Sequence, residues 1–239
     1  LSFCVHPKVV TPNSTLPPVK INIVTGTLNG YFDSTTTITA AEWKTLLLNN
    51  ASHKLDIRGK YIHLVFDKSV LRTYVPDNPV EFINTYDNII RQQRILMGLF
   101  KYGKSPKNRQ FAYTESKGGW FQYNPGAHFD LTWGPANCTS VSNMDYWGVG
   151  HELGHVNQIR PNLSWIGLSE VTNNIYSAWI EYTMNKVVPR LEREPFKTSD
   201  SGAELEGGKA NKSVNYTLVG KKNVLRTIAE NLEDYNFLI

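Results

Sequence analysis

The stretch Tyr146-Trp147-Gly148-Val149-Gly150-His151-Glu152-Leu153-Gly154-His155-Val156-Asn157-Gln158 places two histidines four positions apart, with a glutamate directly after the first. In an α-helix, residues four apart sit ~40° from each other round the axis, so His151 and His155 share one face, one turn apart. Two imidazole nitrogens placed in this way can meet one ion at the ~2.0–2.1 Å typical of zinc. Glu152 lies ~100° from His151, close enough to reach a water beside the ion and badly placed to bind the ion itself. Its natural role is general base. The bland reading is a pair of core histidines beside a surface glutamate. With six histidines in 239 residues, the pattern arises by chance in about one such chain in a hundred.

A zinc site that performs chemistry needs a third protein ligand and an open position for water. Glu170 stands fifteen positions after His155. The pattern predicts a helix from Ser140 to about Ile159, a stop at Pro161 and a second helix from about Leu168 to Lys186. Folded back across the first helix, the second turns Glu170 toward the two histidines. Asn173, Asn174 and Ser177 follow at spacings of three, four and seven, a polar stripe from which Asn173 or Asn174 can hold a ligand from behind. Val171, Ile175, Ala178, Trp179 and Tyr182 give the expected apolar stripe. Gly154 costs roughly 1 kcal/mol of helix propensity against Ala, which close packing near a metal would explain.

Upstream, residues 7 to 18 carry four prolines and read as a linker or edge segment, so residues 1–18 are set apart from a catalytic domain over 19–239. Val19 to Thr25 has the look of a first strand. Thr39-Ala40-Ala41-Glu42 fits a capping box opening a helix to about Leu48. Tyr61 to Asp67 alternates as a sheet strand does. Asn78-Pro79 opens a helix running to about Met97. From Arg109 to Trp133 aromatic residues alternate with Gly118-Gly119 and Asn124-Pro125-Gly126, which predicts short strands joined by turns. Within it, Trp120, Phe121, Tyr123, Phe129 and Trp133 suit a core more often than a cleft lining, and His128 reads as an ordinary histidine. A last helix is expected from Asn223 to Tyr235. The expected class is α+β, with a mostly antiparallel sheet ahead of the metal helix and its last strand running beside the cleft.

The chain carries 25 basic and 21 acidic residues without a block of like charge, which argues against nucleic acid as a partner. No run approaches the ~18 apolar residues of a membrane helix. Leu1 in place of Met suggests a mature or excised product. Cys4 and Cys138 show no metal or redox spacing, and a disulfide between them is a minority reading. Asn50 and Asn137 begin two of six Asn-x-Ser/Thr sequons.

Tyr146 to Gln158, followed by Leu168-Ser169-Glu170-Val171-Thr172-Asn173-Asn174-Ile175-Tyr176-Ser177, resembles the M60-like peptidases, also called the enhancin or mucin-degrading family. The close part of the resemblance covers roughly Gly119 to Tyr182. It implies a zincin-like core of gluzincin type, with His151, His155 and Glu170 as zinc ligands and Glu152 as catalytic base. It also implies mucin-type glycoproteins as substrates, a secreted or cell-surface setting, and a domain abbreviated at its C-terminal end. Two alternatives stand beside a peptidase: a non-catalytic glycan- or protein-binding module on a zincin-like core, and a metallohydrolase acting on something other than peptide. An intact Glu152 speaks against the binding module.

Overall fold

The computed structural model describes residues 24–123, 125–158 and 169–184, together with residue 190 and the residue pairs 196–197 and 204–205. The 1–18 segment, nearly all of the expected first strand and the expected last helix lie outside these residues, and Val24 and Thr25 are not strand.

Helix α1, Ala40–Leu48, starts where the capping box puts it: Glu42 N–H donates to Thr39 Oγ1 at 3.2 Å, and Thr39 N–H donates to Glu42 Oε2 at 2.8 Å. It buries Trp43 and Leu47. Strand β1, Tyr31–Asp33, precedes it, and β2, Lys54–Arg58, and β3, Ile62–Asp67, follow. Ile62, Leu64 and Phe66 of β3 are fully buried while the residues between them are half-buried, as the alternation predicts. Asp67 then caps α2, Lys68–Tyr74, a helix the hydrophobic pattern does not announce. Helix α3, Val80–Leu96, buries Phe82, Ile83, Tyr86, Ile89, Ile90 and Gln93 along one face. Strands β4, Gln110–Glu115, β5, Phe121–Tyr123, and β6, Gly126–Asp130, complete the sheet.

The six strands stand in the order β1-β2-β3-β4-β6-β5. The sheet is mixed, not mostly antiparallel: β1 with β2, β3 with β4 and β4 with β6 run parallel, and only β2 with β3 and β5 with β6 run antiparallel. The cause is the helices between strands. A parallel neighbour needs a long crossover; α1 supplies one between β1 and β2, and α2 with α3 supply another between β3 and β4. The β5–β6 hairpin leaves β5, not the last strand β6, on the edge. At the entrance to that hairpin Gly118 and Gly119 take φ of 99° and 80°, the left-handed region that side chains disfavour.

Phe66, Phe82, Tyr86 and Phe129 meet edge to face at 5.3–6.4 Å between ring centres, joining α3 to the sheet. Tyr86 donates its hydroxyl to the Cys138 carbonyl at 2.6 Å. Cys138 is a free, fully buried thiol, pushed up to about 11 by burial.

The metal-motif helix is shorter than expected. A short helix, α4, covers Ala136–Thr139. Helix α5 then covers only Tyr146–Gly154, because Asp145 caps it by accepting from Gly148 N–H at 3.0 Å. A 3-10 turn, His155–Asn157, continues it. The second helix is two pieces, α6, Ser169–Thr172, and α7, Asn174–Met184, broken at Asn173. The break resets the helical phase. Tyr176 and Ile180 face inward with Val171, whereas Ile175 and Tyr182 of the expected apolar stripe are exposed and Trp179 is only half-buried. Helix α7 packs on α5 and on α3.

Candidate metal centre

Helix α5 can approach α7 closely because of two glycines one turn apart. A Cβ at Gly150 would come within 3.1 Å of Ile180, and one at Gly154 within 2.7 Å of Asn173 Oδ1 and 2.8 Å of Tyr176 Cβ. Close packing therefore does account for Gly154, and it is packing against α7. The approach brings Glu170, in α6, onto the histidine face of α5. His151 Nε2 lies 3.0 Å and His155 Nε2 3.3 Å from Glu170 Oε2, and the two Nε2 atoms are 3.2 Å apart.

Both imidazoles are held from behind. His151 Nδ1 pairs with Asn174 Oδ1 at 2.9 Å, and His155 Nδ1 with Gln158 Oε1 at 2.7 Å. Gln158 is itself oriented, since its Nε2 donates to the Ser169 carbonyl and to Thr172 Oγ1. An amide oxygen only accepts, so each Nδ1 carries a proton, and Nε2 is the atom each imidazole can offer to an ion. Burial and the neighbouring His151 lower the pKa of His155 against the opposing pull of Gln158 and Glu170, which keeps that ring neutral. Burial pushes the pKa of Glu170 up, but the two imidazoles facing it lower it by more, so the net shift favours the carboxylate.

Three electron-pair donors thus face one another with nothing of the protein between them. Ligands held ~2.0–2.1 Å from one tetrahedral ion lie roughly 3.3–3.4 Å apart, close to the spacings present. The residues fit a small divalent cation, and His151, His155 and Glu170 are the set among the described residues that could hold one.

The expected residues arrive with different functions. Asn174 orients His151, whereas Asn173 donates to the His151 backbone carbonyl and touches no ligand side chain. Gln158 was not singled out, although a position three after His155 on a tight turn is where such a partner would stand. Glu152 lines the cleft in front of the three ligands, buried, its Oε2 without a hydrogen-bond partner. Burial, helped by the Glu170 charge, raises its pKa to about 8.

The cleft has a volume of about 520 Å³ and is bounded by Glu152, His155, Gln158, Ser169 and Glu170 on one side and Trp120, Phe121 and Gln122 on the other. The edge strand β5 and the residue before it therefore border the metal residues. Trp120 can lie on α5 because position 148 is glycine: a Cβ there would come within 2.8 Å of the indole. Phe129 is core, and Trp133 is exposed, packed on Gly119. His128 is the ordinary buried histidine expected, stacked on Phe121 with ring centres 4.4 Å apart and bonded through Nδ1 to the Gly119 carbonyl.

Among solved structures, a metallopeptidase from Bacteroides thetaiotaomicron is 29% identical with a TM-score of 0.61, covering 71% of this chain and 29% of its own. A metallopeptidase in complex with Tn antigen gives the same identity and TM-score, over 71% of this chain and 32% of its own. The catalytic module of the metalloprotease ZmpA from Clostridium perfringens shares the fold at 16% identity and a TM-score of 0.52, over 64% of this chain and 33% of its own. The chain thus spans about a third of the length of the structures it matches. No curated protein matches it. The family model for peptidase M60, enhancin and enhancin-like, matches residues 30–238. An α+β zincin-like core in which His151, His155 and Glu170 converge agrees with that match, and the chain belongs to the peptidase M60, enhancin and enhancin-like family.

Proposed function

We propose that the chain is a zinc-dependent peptidase that cuts glycoproteins of mucin type, outside the cell or at its surface, with His151, His155 and Glu170 holding the metal and Glu152 as base. The observation that carries this reading is the convergence of the three ligand atoms within 4.8 Å of one another, beside a cleft that His155, Glu170 and Glu152 all line. A zinc ion held there would acidify a water toward pKa ~7 and polarise a carbonyl.

The remaining work falls to the chain's own groups. Glu152 Oε2, buried and unpartnered, accepts the proton of the attacking water and returns it to the leaving amine. Glu152 is drawn toward its carboxylate form once the Glu170 charge that helps raise its pKa is neutralised by a dication. Among the described residues β5 is the edge strand of the sheet and borders the cleft, where an extended peptide can add as a further strand. The relative in complex with Tn antigen supports a glycosylated substrate.

The test compares a mucin-type glycoprotein before and after enzymatic deglycosylation, each offered to protein that is zinc-loaded, chelator-treated or chelator-treated and then zinc-restored. Expected is cleavage of the glycosylated form alone, lost with chelator and regained with zinc. Cleavage that ignores the chelator would remove the metal from the mechanism, and equal cleavage of both forms would remove the glycan. Binding without cleavage would make the chain a binding module.

A further inference from the structure

The two histidines of the proposed metal site are carried by a helix of nine residues followed by a 3-10 turn. A helix that short has little stability of its own, and His155 stands where its α-helical bonding ends. Something else must fix the distance between the two imidazoles. Gln93, on the long helix α3, is fully buried and bonded at both ends of its amide. Its Nε2 donates to the Gly150 carbonyl at 2.8 Å, directly before His151. Its Oε1 accepts from Asn157 Nδ2 at 2.9 Å, two residues after His155. Asn157 is buried too, and its carbonyl accepts from the Tyr176 hydroxyl at 2.9 Å.

One amide therefore spans the whole ligand-bearing segment, entering before the first histidine and leaving after the second. The next carbonyl along, that of His151, is taken by Asn173 from the other side. Successive carbonyls on a helix point ~100° apart round its axis, so the two amides hold α5 from two directions and block rotation. The glycine contacts with Ile180 and Tyr176 leave it no room to slide toward α7. Gln93 and Asn157 touch no ligand side chain.

We infer that Gln93 and Asn157 are positioning residues of the metal centre, a brace from α3 that fixes His155 against His151 at the spacing a metal needs. The inference rests on the proposed zinc site. Partners behind metal ligands typically change metal affinity 10–100-fold when removed, and the brace acts at one further remove, through the backbone.

The experiment uses the full chain, with zinc affinity from competition against a chromophoric chelator and ligand geometry from the visible spectrum of the cobalt-substituted protein. Gln93→Met keeps the length of the side chain and removes both bonds. It should weaken zinc about tenfold or more and shift the cobalt bands, with far-ultraviolet circular dichroism unchanged. Tyr86→Phe is the matched control, since it loses one buried hydrogen bond, to the Cys138 carbonyl, away from the metal segment; its melting temperature should fall while zinc affinity and cobalt bands stay put. Should Gln93→Met fail to fold, Asn157→Ser carries the same expectation. Unaltered zinc affinity and cobalt spectrum in the folded brace variant would overturn the inference, as would equal weakening by Tyr86→Phe. Failure of the unmutated chain to bind zinc at one equivalent would instead overturn the proposed site, and the brace with it.

Discussion

Glu152 sits one position from a histidine of the proposed metal site, yet it lines the cleft and is not among the three converging groups, and the single-residue step round the helix is the reason. Glu152→Gln keeps the volume of that side chain and removes its capacity to take a proton. Cleavage should fall by ~10²–10⁴ while zinc content stays at one equivalent, both measured on one preparation. Cleavage near the unmutated rate would take Glu152 out of the reaction, and loss of zinc would make it a ligand. Gly154→Ala tests packing at the same scale. Alanine gains about 1 kcal/mol in helix propensity, but its methyl meets Asn173 and Tyr176 at 2.7 and 2.8 Å, and overpacking typically costs ~1–3 kcal/mol. The melting temperature and zinc affinity should both fall, and a raised melting temperature would refute the contact. Spacing alone makes the convergence of His151, His155 and Glu170 readable. It could not separate Asn174 from Asn173, because which amide reaches the imidazole depends on a break in the helix between them.

At the scale of elements, the sequence is most readable where one local interaction decides. The Thr39–Glu42 box sets where α1 begins, and Thr39→Ala should cost ~0.5–2 kcal/mol in chemical denaturation, with a negligible loss counting against the box. The hairpin beside the cleft depends on Asp130. Its carboxylate accepts from the Gly119 N–H and then from the N–H and hydroxyl of Thr132, which together hold its pKa below the usual carboxylate range. A carboxylate with a depressed folded-state pKa adds stability above its unfolded value, ~3.9, and loses it as the pH falls through the folded value. Exchange of the Gly119 amide should therefore quicken on acidification below pH ~4, relative to amides of the central strands, and Asp130→Asn should flatten that response. An unchanged pH profile in Asp130→Asn would exclude the role. Strand directions were less readable than strand positions. Alternation marks β3 equally well for a parallel or an antiparallel partner, and only the crossovers through α1, α2 and α3 decide. The start of α5 is hard to read for a similar reason, since apolar residues continue upstream while the Asp145 cap sets where the helix begins.

For the whole molecule, a metal held as proposed would join α5 to α6, whereas the sheet, α1 and α3 close their core without it. Chelation should leave the far-ultraviolet circular dichroism nearly intact yet lower the thermal midpoint. At zinc a hundredfold above Kd the bound ion adds ~2.7 kcal/mol, roughly 5–11 °C for a chain of this size. A midpoint indifferent to chelator would mean that no ion links the two helices in solution. That the chain covers only about a third of its solved relatives could not be read from its own residues, because a catalytic core packs on itself whatever accompanies it. The fully buried Cys138 thiol, at the contact of α4 with the Tyr86 hydroxyl, turns the protein into its own clock. A thiol held at about 11 and sealed from solvent reacts with a maleimide only when the core opens. Its labelling rate, followed by peptide mapping that keeps Cys4 apart, counts those openings directly. It also tells whether filling the proposed metal site quiets those openings.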